Sequence, residues 1–143
     1  MDDTILTGEL LRADLNKLPW SEFCGPLQSQ AELQQGPPSL SFILVIGTWC
    51  GDTQEHLPAF LSLLDHLRVR EEQVKIYGVD RTKRLPGITD VYQIEKLPTF
   101  IVLGGGRELG RITETPTLTL FADLALILKN HQTLHVDRDP DSK

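Results

Sequence analysis

Apolar positions recur along this chain with two different periods, and the switches between them outline the elements. Leu6, Leu10, Leu11, Leu15 and Leu18 repeat at helical spacing over residues 4 to 18, with Thr4 or Thr7 as possible caps. Pro19-Trp20-Ser21 breaks that pattern, and a second helical stretch follows from Glu22 to Gln35, interrupted at Gly25-Pro26 and stopped by Gly36-Pro37-Pro38. The pattern then changes character. Residues 41–47 hold the unbroken apolar run Phe42-Ile43-Leu44-Val45-Ile46, the mark of a strand covered on both faces. Leu57, Phe60, Leu61, Leu64 and Leu67 return to spacings of three and four and predict a helix over 52–68, with Pro58 inside it.

Val74 to Asp80 alternates and reads as a second strand. Leu85 to Glu95, with Ile88, Val91, Tyr92 and Ile94, suggests a short helix followed by an extended approach. Leu97 to Leu103 is a third strand, Gly104-Gly105-Gly106 a turn, and Glu108 to Thr113 an antiparallel return. Pro116-Thr117 opens a last helix with Leu118, Phe121, Leu124, Ala125 and Leu128 on one face, before a polar tail from Asp137 to Lys143. Two helices, a strand-helix-strand unit, a hairpin and a covering helix predict an α/β domain with a mixed sheet of about four strands flanked by helices. There is no internal repeat, low-complexity segment or linker, and 143 residues suit one domain: a helical extension over 1–39, a core over 40–130 and the tail.

One stretch in this pattern carries chemistry. Thr48-Trp49-Cys50-Gly51-Asp52-Thr53 joins the apolar strand to the helix, and unpaired N–H groups at a helix start stabilise a thiolate. Cys50 is therefore read as reactive, and Trp49 as an apolar lip beside its sulfur. Cys24, beside Phe23, is read as a small packing residue. The two cysteines form no disulfide framework and join none of the four histidines at metal-ligand spacing, so no structural metal is expected. His56 falls about a turn and a half from Cys50 on another helix face, which argues against a cysteine hydrolase. His66, His131 and His135 are read as solvated helix or tail residues.

Composition narrows the partners. With 40% hydrophobic and 24% charged residues the chain is an ordinary globular one, and a formal charge of −6 argues against nucleic acid. The one basic string, Arg81-Thr82-Lys83-Arg84, is read as a solvated loop. No apolar run approaches the ~18 residues of a membrane helix. The acidic start Met1-Asp2-Asp3-Thr4 lacks the design of a secretory signal, so a cytoplasmic protein is expected.

Trp49-Cys50-Gly51, Pro58 eight residues after the cysteine, Val79-Asp80, Leu97-Pro98-Thr99-Phe100 and the following glycine turn together resemble the thioredoxin fold family, over about residues 40 to 130. The resemblance implies that Pro98 is a cis-proline facing Cys50 and that the backbone of Leu97 binds extended peptides, as in strand addition. It makes Trp49, Gly51, Asp52, Leu97 and Pro98 substrate-binding residues, and Cys50 and Thr53 the catalytic ones.

Three departures bear on function. Where the family's dithiol site has a second cysteine, three residues after the first, this chain has Thr53, whose hydroxyl could donate a hydrogen bond to the Cys50 thiolate. Leu44 stands where thioredoxins keep a buried aspartate, and helices replace their first strand. Asp52 opposes a nearby thiolate, although its charge suits a helix start. The site, with Gly110-Arg111-Ile112-Thr113-Glu114-Thr115-Pro116 downstream, resembles a bacterial thioredoxin-like group.

The expected activity is a thiol-disulfide oxidoreductase acting through one thiol, in mixed-disulfide exchange, isomerisation or deglutathionylation. It would act on protein or peptide disulfides or glutathione mixed disulfides, with no cofactor and glutathione as a possible resolving thiol. Cys24 could resolve internally only if its Cα lies within ~7 Å of that of Cys50. A redox-inactive peptide-binding module and a cysteine redox sensor are the alternatives.

Overall fold

A computed structural model describes residues 4–20 and 40–137, with side chains described as far as residue 129. The expected helix from Glu22 to Gln35, Cys24 and the tail beyond residue 137 lie outside the described residues. The elements in chain order are β1 (Gly8–Leu10), α1 (Arg12–Leu15), β2 (Leu40–Ile46), α2 (Gly51–His66), a 3₁₀ turn (Glu71–Gln73), β3 (Val74–Gly78), β4 (Thr99–Gly104), β5 (Arg107–Thr113) and α3 (Leu120–Asp137).

The sheet has five strands rather than about four, in the order β1-β3-β2-β4-β5. β2 and β3 run parallel, while β2–β4, β4–β5 and β1–β3 are antiparallel. The added strand comes from the stretch whose leucine spacing predicts a helix. Long-range bonds override that periodicity: Leu6 N–H donates to Thr48 Oγ1 at 2.9 Å, and the Thr48 hydroxyl donates to Thr4 O at 2.6 Å. Gly8 sits at φ +84°, outside the right-handed helical region, before the chain pairs with β3. Gly78 admits this edge, because a Cβ there would stand 2.1 Å from Leu6 O. Helix survives only in the four residues of α1, where Arg12 reaches across to Asp65 on α2 with two bonds of 2.7 and 3.0 Å.

β2 lies at the centre, and its alternate residues feed two cores. Leu40, Phe42, Leu44 and Ile46 join Phe100, Val102, Ile112, the apolar stripe of α2 and Leu124 of α3. Phe60 stacks on Phe100 with ring centroids 4.3 Å apart and meets Phe42 edge-on at 6.2 Å. Ile43 and Val45 face the other way, with Ile101, Val79, Ile94 and Leu97. That second face is covered by residues 79–97 without the expected helix. Gly87 at φ +88° and Gln93 at φ +55° break the run into turns, bonded Ile88 N to Leu85 O, Tyr92 N to Ile88 O and Ile94 N to Thr89 O. The hairpin between β4 and β5 turns on Gly105 and Gly106, at φ +59° and +84°, the positive values a tight two-residue loop needs.

α3 begins at Leu120, later than Pro116-Thr117 predicts. Thr119 Oγ1 accepts from Ala122 N–H and caps the helix, and the Asp123 carboxylate accepts from Thr117 and Leu118 N–H. The residues before Thr119 are thus held by side-chain bonds rather than helical ones.

On β5, Arg111 binds Glu108 through two bonds of 2.6 and 2.7 Å and donates a third to Tyr92 O at 3.0 Å, bracing the turn segment against the sheet. The Arg111 bond holds the Glu108 carboxyl below its usual range, and Glu108 raises Arg111. A depressed carboxylate stabilises the fold above its unfolded value and loses that contribution as pH falls through the folded one. Glu108→Gln should therefore lower the urea midpoint at neutral pH, and its deficit against wild type should shrink as pH falls below the ordinary glutamate value of about 4.3. A deficit independent of pH would assign the effect to packing instead.

Candidate functional site

Cys50 is the residue at which the central strand becomes a helix. It occupies the N-cap of α2 in extended backbone geometry, φ −87° and ψ 130°, and its side chain makes no cap bond. A turn closes in front of it, with Cys50 N–H donating to Gly47 O at 2.8 Å, and Gln54 N–H then donates to Cys50 O at 3.0 Å. The sulfur is half-buried and free. It stands 3.9 Å from the carbonyl oxygen of Leu97, a weak S–H contact, and the Leu97–Pro98 peptide is cis. The sheet thus brings together Cys50 and Pro98, which lie far apart in sequence. Leu97, Pro98 and Thr99 are themselves buried, and Thr99 Oγ1 donates to Lys96 O at 2.6 Å.

Thr53 is fully buried, and its Oγ1 accepts from Gly47 N–H at 3.2 Å. The structure gives it no bond to the Cys50 sulfur, the contact its spacing suggests. Its hydroxyl ties the first turn of α2 to the end of β2, so it supports the loop that carries the thiol. Trp49 is half-buried and packs against the second core. Its Nε1–H donates to Val79 O at 2.9 Å, which pins the ring to the strand end beside it. Gly51 and Asp52 open α2 on a half-exposed surface, with the Asp52 charge in the first turn, where a helix start favours an acid.

Three contributors to this site were given no role in it by the sequence pattern. Gly47 is required by crowding, since a Cβ there would meet the Trp49 ring at 2.8 Å and Leu97 at 3.1 Å. Thr48 is fully buried and holds residues 4–6, and its carbonyl accepts from Gln54 Nε2 at 3.0 Å. Arg81 leaves the loop it shares with Lys83 and Arg84 and lies over Trp49, its guanidinium carbon 5.0 Å from the ring centroid. Asp80 points to Thr82 instead, whose hydroxyl and then N–H hold its carboxyl below the usual range. The threonine before the tryptophan and the basic residue after Val79-Asp80 were the available signals.

The histidines stand apart from the thiol. His56 is largely buried, 4.0 Å from Glu55 across the ion-pair atoms, and its ring nitrogen with the carboxylates of Asp52 and Glu55 lies within a 4.8 Å group. That cluster, spaced one helical turn apart, was not anticipated from the spacing of the histidines and cysteines; surface carboxylates commonly gather in this way without an ion. His66 differs from a solvated residue, because its Nδ1 is enclosed without a hydrogen-bond partner. His131 and His135 fall on α3, where side chains are not described. No helix among the described residues is long and apolar enough to cross a membrane.

Curated proteins similar to the chain over this region include two that share about a third of the aligned residues with it. It is 32% identical over 82 residues to a thioredoxin-like protein of Synechocystis sp., covering 57% of this chain and 74% of that one. It is 31% identical over 104 residues to a chloroplastic thioredoxin Y of Oryza sativa subsp. japonica, covering 73% of this chain and 55% of that one. Among solved structures, a protein of unknown function from Pseudomonas aeruginosa aligns with a TM-score of 0.39 at 19% identity, over 78% of this chain and 62% of its own. No protein-family model matches the chain.

The bond between Gly47 and Thr53 yields a direct expectation. Thr53→Val keeps the volume but leaves the buried Gly47 N–H without an acceptor, so it should cost about 1–3 kcal/mol, while Thr53→Ser should recover most of that loss. Urea denaturation of the three forms checks it, and equal midpoints would remove the supporting role assigned to the hydroxyl. Gly47→Ala should displace the Trp49 ring, with a changed tryptophan emission and slower alkylation of Cys50 by iodoacetamide.

Proposed function

Because this chain belongs to the thioredoxin-like family, we propose that it is a thiol-disulfide oxidoreductase working through the single thiol of Cys50. The observation that carries this reading is the setting of the sulfur. It sits at the N-cap of α2, against the carbonyl that precedes a cis-proline, with a hydroxyl where a second thiol would stand. The half-exposed position leaves the sulfur open to attack a partner.

The substrate class is a protein or peptide disulfide, or a glutathione mixed disulfide. In the glutathione case Cys50–S⁻ attacks the glutathione sulfur of R–S–S–G, forming Cys50–S–S–G and releasing R–S⁻, which takes a proton. A second glutathione thiolate attacks that sulfur, giving glutathione disulfide and returning Cys50–S⁻. The net change is one mixed disulfide and one glutathione converted to one free thiol and one glutathione disulfide, so no cofactor enters. In isomerisation the displaced thiol belongs to the same substrate and re-attacks, with no net electron transfer. Trp49, Gly51 and Asp52 frame the sulfur, while the backbone at Leu97–Pro98 receives an extended segment, as in strand addition. Thr53 acts as a positioning residue through Gly47. This chemistry suits a compartment where thiols are kept reduced, such as the cytoplasm.

The test is turnover of a glutathionylated peptide and of a model protein disulfide, with glutathione or a dithiol as donor and Cys50→Ser as the blank. Wild type should turn over the glutathionylated peptide with glutathione present and hold a persistent mixed disulfide without it. Thr53→Cys places a thiol one helical turn from Cys50, and should lose the persistent adduct and gain protein-disulfide reductase activity. Wild-type rates equal to the blank with every donor would overturn the oxidoreductase reading and leave a binder or redox sensor.

A further inference from the structure

The exchange reading says nothing about which disulfides Cys50 prefers, and the loop after β3 bears on that choice. This chain carries a formal charge of −6, yet Arg81, Lys83 and Arg84 are gathered within four residues, all exposed. Only Arg81 is drawn onto the site, lying over the Trp49 ring with its guanidinium carbon 5.0 Å from the centroid. The ring is fixed in turn by the bond from its Nε1 to Val79 O. Trp49 and Cys50 pack against the same cluster around Val79 and Leu97, so Arg81 lies over the ring that neighbours the attacking thiol.

The nearby acidic groups are arranged differently. The Asp80 carboxylate is turned to the hydroxyl and N–H of Thr82. Asp52 and Glu55 lie on the first turns of α2, grouped with His56. Arg81 and Asp80 therefore share the loop on the Trp49 side, with the Asp80 carboxylate turned to Thr82, while Asp52 and Glu55 lie along the helix.

We propose that Arg81, seated on Trp49, is a specificity residue that makes Cys50 favour disulfides carrying a carboxylate close to the reacting sulfur. This inference rests on the exchange reading and deepens it. Both a glutathione half, with its two carboxylates, and a protein cysteine flanked by aspartate or glutamate supply that chemistry. In either case Cys50–S⁻ attacks R–S–S–R′, forms Cys50–S–S–R and expels R′–S⁻, and Arg81 attracts the carboxylate of R during the encounter. A solvent-facing charge pair at a few ångströms is worth about a fivefold change in rate at low salt and is screened within about 10 Å at 0.1 M.

The experiment measures the rate of adduct formation at Cys50 by intact mass, with the rate of Cys50→Ser subtracted to remove any reaction elsewhere. The probes are hydroxyethyl disulfide, which is uncharged, glutathione disulfide, its glycyl ethyl ester, and two peptide mixed disulfides flanked by glutamate or by lysine. Wild type should favour each anionic probe over its neutral or cationic counterpart by about fivefold, and 1 M salt should abolish the preference. Arg81→Gln should lose the preference, its rates with the anionic probes falling to its own rate with hydroxyethyl disulfide. Arg81→Lys, which keeps the charge without the planar stack, should retain part of it. A preference seen with glutathione but not the glutamate peptide, or the reverse, identifies the source of the carboxylate. Equal wild-type rates across the probes, or an Arg81→Gln that slows all of them alike, would overturn the proposal and leave the exchange reading standing. No adduct even with hydroxyethyl disulfide would overturn both.

Discussion

The structure depends on the fact that β2 is a central strand buried on both faces. A strand so placed needs two covers, and the chain provides them by different means: α2 and α3 on one face, the turn segment 79–97 on the other. The strand must also end somewhere, and its end is where the two covers part. At that edge the backbone leaves the sheet, its last N–H groups lose their ladder partners, and the loop Gly47–Cys50 satisfies them with Thr53 Oγ1 and a turn bond of its own. The reactive position is a consequence of how β2 terminates.

The same loop gathers contacts from every side. Thr48 holds residues 4–6, Trp49 bonds the carbonyl of Val79, and Cys50 faces the carbonyl of Leu97. Each tie reaches a different part of the chain: the segment before β1, the end of β3 and the approach to β4. Such a loop is over-determined, and a thiol carried on it keeps its direction without a disulfide partner to fix it. That gives a physical account of how a site with Thr53 at the second thiol position can remain built, since the hydroxyl substitutes structurally for what it does not supply chemically.

Elements where the sequence and the structure agree share one property, that neighbours in the chain decide them. The apolar run 42–46, the stripe Leu57 to Leu64 and the glycine turn before β5 are local patterns, and they emerge as β2, α2 and the β4–β5 hairpin. The expected helix over 4–18 gives way to β1 and four residues of α1, because Thr48 and the open edge of β3 offer the backbone partners that a solitary helix cannot match. The expected helix in 85–95 gives way to turns, because Pro86-Gly87 interrupts it and its apolar residues need only cover a flat sheet face.

By itself the sequence determined the presence of a cysteine at a strand-to-helix junction, the absence of a second thiol three residues on, and the family that this pairing resembles. These are matters of residue identity and short-range spacing, which a chain carries with it whatever its fold. Tertiary structure alone decided that Thr53 bonds Gly47 rather than the sulfur, that Leu97 and Pro98 stand over Cys50, and that Arg81 lies on Trp49. Each of those joins groups whose distance is set by strand order and loop path, and no local period encodes a contact between residues that meet only after the sheet has closed.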